Sequence, residues 1–196
     1  MSWYDWHGIT HHPPVVVPIN PQTPPIPGLS NVVITTSVTT SSSTAVGMTP
    51  SAACIALIQK EEDCILKAYQ DVDGVYVVGY GCKFIDGKAV QRGQMITADD
   101  ADRACRQHAQ QYADAIIPLV KRTLKQGELD GLIDFVYNAG IGALAGSSLL
   151  RAINNPQQNV TEDLFTRWNK AHIKGVLTVL PNLTLRRKAE YQLFIS

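Results

Sequence analysis

Only one charged side chain, Asp5, occurs in the first fifty residues of this 196-residue chain. Every Lys and Arg, and every other Asp and Glu, lies after residue 50. A folded domain needs charged residues to keep its surface in water and unassociated. The asymmetry therefore divides the chain. Residues 51–196 read as one domain of ordinary composition, and residues 1–50 as an extended arm that precedes it.

The arm has its own logic. Seven of the eleven prolines fall in residues 1–29, with Pro13-Pro14 and Pro24-Pro25-Ile26-Pro27 favouring polyproline geometry. Trp3, Tyr4 and Trp6 are large apolar side chains with no local core to enter. Such residues commonly dominate binding to a partner surface. Residues 30–49 are rich in Val and Thr and carry no charge, so they read either as a strand that adds to a partner's sheet edge or as a Ser/Thr linker. The arm is expected to be a docking segment.

Composition also excludes several classes. Acids and bases balance at formal net charge +0, which supplies no basic field for nucleic acid. No run reaches the roughly 18–20 apolar residues of a membrane span, and the N-terminus lacks the basic and apolar regions of a secretion signal. Cys54, Cys64, Cys82 and Cys105 show no C-x-x-C spacing, so reduced thiols are expected over two bridges. The histidines do not cluster near them, and neither a metal nor a cofactor is expected.

Within the domain, Thr49 or Ser51 caps a first helix that runs to about Glu62, with Pro50 near its first turn. Lys67-Ala68-Tyr69 and Val75 to Tyr80 read as strands of a small sheet, and Lys83 to Gln94 as loop. Thr97-Ala98-Asp99-Asp100 is a capping-box-like start to a helix reaching about Tyr112. Gln126 to Asn138 is the most apolar helix and the expected core, ended at Gly140-Ile141-Gly142. Ser147 or Ser148 opens a short helix that stops at Asn155-Pro156. Thr161 caps another, ending near Trp168. Lys170 to Pro181 reads as a long connection, and a last helix from about Thr184 carries Arg186, Arg187 and Glu190. A small sheet followed by many helices makes an α+β fold.

The chemistry concentrates in Glu62–Gly81. Glu62 and Asp71 stand nine residues apart, followed by a turn signal at Asp73-Gly74 and the run Val75-Tyr76-Val77-Val78-Gly79-Tyr80-Gly81. A helix that ends in one acid, followed by a hairpin that carries a second, sets two carboxyls on the walls of one cleft. That is the equipment for cleaving a glycosidic bond. Taken alone, Glu62 is also a solvated helix end beside Glu61, and Asp71 an ordinary turn residue.

These segments together resemble the phage-type lysozymes, glycoside hydrolase family twenty-four, over roughly residues 51–195. Glu62, Asp71, Gly74 and Gly79-Tyr80-Gly81 follow that family's catalytic signature. Asp134 to Gly142 (D-F-V-Y-N-A-G-I-G) resembles its F-x-x-N-x-G-x-G helix end, and Ser148-Leu149-Leu150-Arg151 its S-T-L-L-R segment. Arg167-Trp168 and Leu183 to Glu190 fit its C-terminal part. The resemblance implies a lysozyme-like α+β fold and a muramidase that cleaves the β-1,4 bond between N-acetylmuramic acid and N-acetylglucosamine in peptidoglycan. Glu62 would be the general acid and Asp71 would activate the attacking water, with inversion. Tyr80, Asn138 and Arg186 are the candidate substrate-binding or cleft residues. An arginine in the family's C-terminal part helps to hold the catalytic acid, and Arg186 and Arg187 are its candidates here.

The same comparison exposes departures. The family's Thr six residues after the Asp is Val77, the Gly after the catalytic Glu is Asp63, the His after Gly-Tyr-Gly is Cys82, and a C-terminal Gly is Asn182. Losing a water-positioning hydrogen bond costs on the order of 2–4 kcal/mol of barrier, so reduced activity is expected. With the arm, the reading becomes a lysozyme carried on a phage virion, docked to tail or baseplate proteins through residues 1–50. The alternatives are a lysozyme-fold structural or glycan-binding component and a free endolysin in the host cytoplasm. In each the target is the periplasmic cell wall.

Overall fold

The computed structural model describes residues 47–71, 74–173 and 175–196. The arm expected at residues 1–50, and with it the docking surface of Trp3, Tyr4 and Trp6, lies almost wholly outside the described residues, as does Asp73 of the turn signal.

The first helix, α1 (Ala52–Glu61), starts where Ser51 accepts a hydrogen bond from the Cys54 amide. Cys54, Ile55 and Ile58 form its buried stripe. The start is fastened to a distant helix, because the Ser51 N–H donates to Asp130 at 3.0 Å and Gln126 donates to the Thr49 carbonyl at 2.9 Å. The helix stops at Glu62, whose backbone is already extended while its amide still donates to Ile58 O. Glu62 is therefore fixed at its amide at the point where the chain changes direction.

Two antiparallel strands follow, β1 (Ile65–Gln70) and β2 (Tyr76–Gly79), with Tyr69 opposite Val77 and Gln70 opposite Tyr76. The segment read as loop between Lys83 and Gln94 contains a two-residue hairpin, β3 (Phe84–Ile85) with β4 (Lys88–Ala89). It escapes a reading by alternation because each strand has only two residues.

Helix α2 (Ala98–Ile116) opens with the expected capping box: Thr97 accepts from the Asp100 amide and Asp100 accepts from the Thr97 amide. Its buried face is mostly alanine, so it packs close. A 3-10 turn at Ile117–Leu119 leads to α3 (Gln126–Ala139), which is buried from Leu129 through Val136 and forms the centre of the core. Gly140, at φ +86°, ends α3, and a short helix α4 (Ile141–Gly146) begins at once. The glycines that read as a terminator thus mark a junction between two helices. Ser147 caps α5 (Ser148–Ile153), and α6 is Glu162–Thr166.

The connection expected over Lys170–Pro181 is instead an antiparallel hairpin, β5 (Lys170–Ile173) with β6 (Val176–Val179). Val176, Leu177 and Val179 are exposed on it, so no half-buried alternation announces it in sequence. The last helix, α7 (Pro181–Phe194), starts at Pro181 rather than near Thr184, since proline's fixed φ suits a first helical position. It packs along α3 where a side chain at Gly131 would not fit: a Cβ there would stand 2.5 Å from Glu190 O and 2.9 Å from Phe194 Cβ.

Candidate active site

Glu62 reaches the site from the end of α1 and is 7% exposed. Arg186, on the first turns of α7, donates from Nη1 to Glu62 Oε1 at 2.7 Å. The same guanidinium donates from Nε and Nη2 to the two oxygens of Asp134, at 2.9 and 3.0 Å. Asp134 comes from α3 and is fully buried. Arg187 turns the other way. It pairs with Glu190 at 2.6 Å, donates to Asn138 Oδ1 at 2.9 Å, and lies over the Phe135 ring at 5.0 Å. Helices α1, α3 and α7 are thus joined through one buried polar network whose outer member is Glu62.

Burial pushes the Glu62 carboxyl up from its ordinary 4.5. The charge and hydrogen bond of Arg186 pull it down, the charges of Asp134 and Glu61 push it back up, and the balance is upward. Burial also raises Asp134, but Arg186 outweighs it and leaves that carboxyl below 3.8. A carboxyl raised by burial holds its proton to higher pH than a free one, the direction a group needs to protonate a leaving group.

Asp71 follows β1 and is fastened in the turn before β2. Its Oδ1 accepts from the Val75 amide at 2.9 Å, its own amide donates to Val75 O at 2.9 Å, and Lys83 Nζ stands 3.6 Å from Oδ2. Its side chain is 6% exposed. Tyr69 lies near enough to both acids to respond to their charges. Burial raises its phenol, and the charges of Glu62, Asp71 and Asp63 add to the effect. Tyr69 registers both carboxyls, so one small region holds an acid buried against a cation and a second acid oriented by backbone.

The other candidates are placed as follows. Tyr80 is half-buried, its carbonyl accepts from the Tyr137 hydroxyl at 2.7 Å, and its phenol is raised by burial and then by a hydrogen bond with Cys64. Asn138 is aimed by Arg187. Val77 is 3% exposed and packs in the sheet opposite Tyr69. Cys82 is fully buried, with Sγ 3.9 Å from the Tyr137 hydroxyl. The four cysteines are free thiols. Trp168 stacks edge-on against Phe135. The reading of the sequence missed Asp134, whose signal was an acid inside the most apolar helix of the chain. Among the described residues no three His, Cys, Asp or Glu side chains are grouped as a metal site, and no helix is long and apolar enough to cross a membrane.

The phage lysozyme family profile matches residues 59–190, a span that contains Glu62, Asp71, Asp134, Asn138, Arg186 and Glu190. The chain belongs to the phage lysozyme family. It is thereby a glycoside hydrolase by descent, and its α+β architecture is the lysozyme fold. The endolysin of Salmonella phage P22 is 36% identical over 143 residues, covering 72% of this chain and 94% of that protein. The muramidase domain of SpmX from Asticaccaulis excentricus superposes with a TM-score of 0.68 at 32% identity, over 74% of this chain and 97% of that one. A crystal structure of a P22 lysozyme mutant gives a TM-score of 0.64 at 33% identity, over 76% and 99%.

Proposed function

We propose that this member of the phage lysozyme family is a muramidase that hydrolyses the β-1,4 bond between N-acetylmuramic acid and N-acetylglucosamine in peptidoglycan, with inversion. Glu62 protonates the glycosidic oxygen. Asp71 holds and deprotonates the attacking water on the opposite face of the sugar. Arg186 orients Glu62, and Tyr80 and Asn138 belong to the cleft that binds the glycan. The observation that carries the reading is the unlikeness of the two carboxyls around Tyr69. Glu62 is buried on a single guanidinium bond and raised, while Asp71 is fastened by a backbone amide and a lysine.

The test is hydrolysis of purified peptidoglycan by the full chain and by Glu62→Gln, with the anomeric form of the fresh product read by NMR. Wild type should release the α-anomer from the β-bond, and Glu62→Gln should lose at least about a hundredfold, as expected when a general acid is removed. Equal activity in the two proteins, or a β-anomeric product, overturns the assignment.

The setting is a phage particle. The P22 endolysin matches 72% of this chain with nearly its whole length, and this chain has in addition an N-terminal segment almost free of charge and rich in proline. That segment suits an anchor to a tail or baseplate protein, from which the domain opens the wall locally. Deleting residues 1–50 should leave hydrolysis intact and remove the protein from purified particles. Presence only in lysates, never in particles, would favour a free endolysin. Val77, which puts an apolar side chain opposite Tyr69, favours slow turnover, which a brief local cut tolerates.

A further inference from the structure

Glu190, on α7, is fully buried, and neither of its carboxyl oxygens accepts a well-directed hydrogen bond among the described residues. Arg187 Nη2 stands 2.6 Å from Oε1 and Arg186 Nε 3.7 Å from the same atom. The hydrogen-bonding neighbour of Glu190 is another acid, Asp134 of α3. Two carboxylates have only acceptors to offer each other, so a hydrogen bond between them requires a proton on one.

Geometry decides which. Asp134 accepts two bonds from Arg186, at 2.9 and 3.0 Å, in the fork-to-carboxylate arrangement that suits a charged pair. That leaves Glu190 as the donor. Burial pushes its carboxyl well above 4.5 against the charge of Arg187, and the charge and hydrogen bond of Asp134 add to the rise.

The charge count agrees. The buried cluster holds three carboxyls, Glu62, Asp134 and Glu190, and two guanidiniums, Arg186 and Arg187. Burying a net charge in a low-dielectric interior is costly. With both arginines charged, one proton makes the cluster neutral, and Glu190 is where it sits. The groups that face Glu190 are Arg186 and Arg187 of its own helix and Asp134 of α3, while Glu62 and Glu61 of the α1 end act on those arginines. Glu62, at 7% exposed against 0% for Glu190, is the member at the edge of the cluster.

We propose that Glu190 is a positioning residue that enters the network as a neutral acid: its O–H donates to Asp134, fixes the carboxylate on which the Arg186 fork is seated, and so aims Glu62 from behind. The inner carboxyl carries a proton that stays, and Glu62 is left as the carboxyl that can exchange its proton during a reaction. The consequence for catalysis rests on the muramidase reading. The place of the proton does not.

The test compares Glu190→Gln and Glu190→Leu with wild type in the full chain. Glutamine copies the neutral acid, since its amide can donate to Asp134, and leucine cannot donate. A carboxyl raised in the folded state stabilises it only while protonated, and this contribution fades as pH rises above 4.5. The unfolding constant of Glu190→Gln, measured in urea, should therefore fall relative to wild type by about tenfold per pH unit above 4.5 until Glu190 ionises. An ionised Glu190 gives the opposite sign: glutamine would strand the charge of Arg187 and raise the unfolding constant at least about a hundredfold, which overturns the proposal. Infrared difference spectra near neutral pH test the proton directly. A protonated-carboxyl band should be present in wild type and in Glu62→Gln and missing in Glu190→Gln. No such band in wild type, or one lost with Glu62 instead, overturns the proposal even if a Glu190 variant does not fold. In peptidoglycan hydrolysis, Glu190→Leu should lower kcat about tenfold with KM little changed, and glutamine should restore most of the loss. Equal rates for the two variants overturn the positioning role. If the band and the unfolding follow expectation and wild type does not cleave peptidoglycan, the proton assignment stands and the muramidase reading falls.

Discussion

Replacing Arg186 by Met tests whether the network is held by charge or by packing. Methionine retains an unbranched stem of similar length, so contacts with α3 are largely kept. The three bonds to Glu62 and Asp134, at 2.7, 2.9 and 3.0 Å, are lost. Asp134 is fully buried and Glu62 nearly so, and among the described residues neither is paired with another cation. Removing one partner of a buried ion pair costs about 3–5 kcal/mol, most of it the uncompensated charge left behind. The pH dependence carries the sign. In wild type, Asp134 sits below 3.8 because of Arg186, so its contribution to stability is present above that value and is lost as pH falls through its folded pKa. In the variant, burial prevails. Asp134 and Glu62 both rise above their ordinary 3.8 and 4.5, and each then stabilises the fold only in its protonated form, losing that contribution as pH rises. The deficit should be full near neutral pH and shrink steadily below about pH 4. Urea unfolding across that range measures it. A deficit that is the same at every pH would mean that Arg186 acts by packing, and the charge account would be refuted. The basic limb of activity should move upward in this variant, because the charge and hydrogen bond that lower Glu62 are gone.

Three further outcomes are expected. Glu62→Gln should be more stable than wild type near neutral pH: burial raises the folded carboxyl above 4.5, so each pH unit of that displacement returns about 1.4 kcal/mol to the variant, and the two melting curves should meet below pH 4.5. Gly131→Ala should destabilise by about 1–3 kcal/mol and slow hydrolysis at the same time, because its methyl meets Glu190 O at 2.5 Å and α7 can only retreat with Arg186. A chemical-denaturation midpoint and a rate measured side by side check both halves. Val77→Thr should raise the turnover number by up to about tenfold if a hydroxyl there helps to hold the water, at a cost of about 1 kcal/mol for burying it; a fall in turnover would mean that the water lies elsewhere.

The sequence showed those parts of the fold that depend on local chemistry. Ser51, Thr97 and Ser147 stand at helix starts because a side-chain oxygen satisfies an orphan amide, and this is readable from a few residues. The hairpins at Phe84–Ala89 and Lys170–Val179 were not readable, since one is too short to alternate and the other exposes much of both strands. Proline at the head of α7 looked like the end of a connection, and Gly140 like the end of a helical stretch. At the site, Glu62 and Asp71 were legible from spacing. Arg186 was one of two adjacent arginines, and only packing against α3 and α1 separates the one that faces Glu62 from the one that faces Asn138. Asp134 was invisible as a participant, because its partner lies 52 positions further along the chain.

The fastening of Ser51 and Thr49 to α3 has a mechanical consequence. Tension applied through whatever precedes the domain arrives at the start of α1, where the bonds to Asp130 and Gln126 divert it into α3. Glu62 hangs at the far end of α1, ten helical residues or about 15 Å away. Whatever is joined to that end therefore meets the bonds to α3 before it meets the acid.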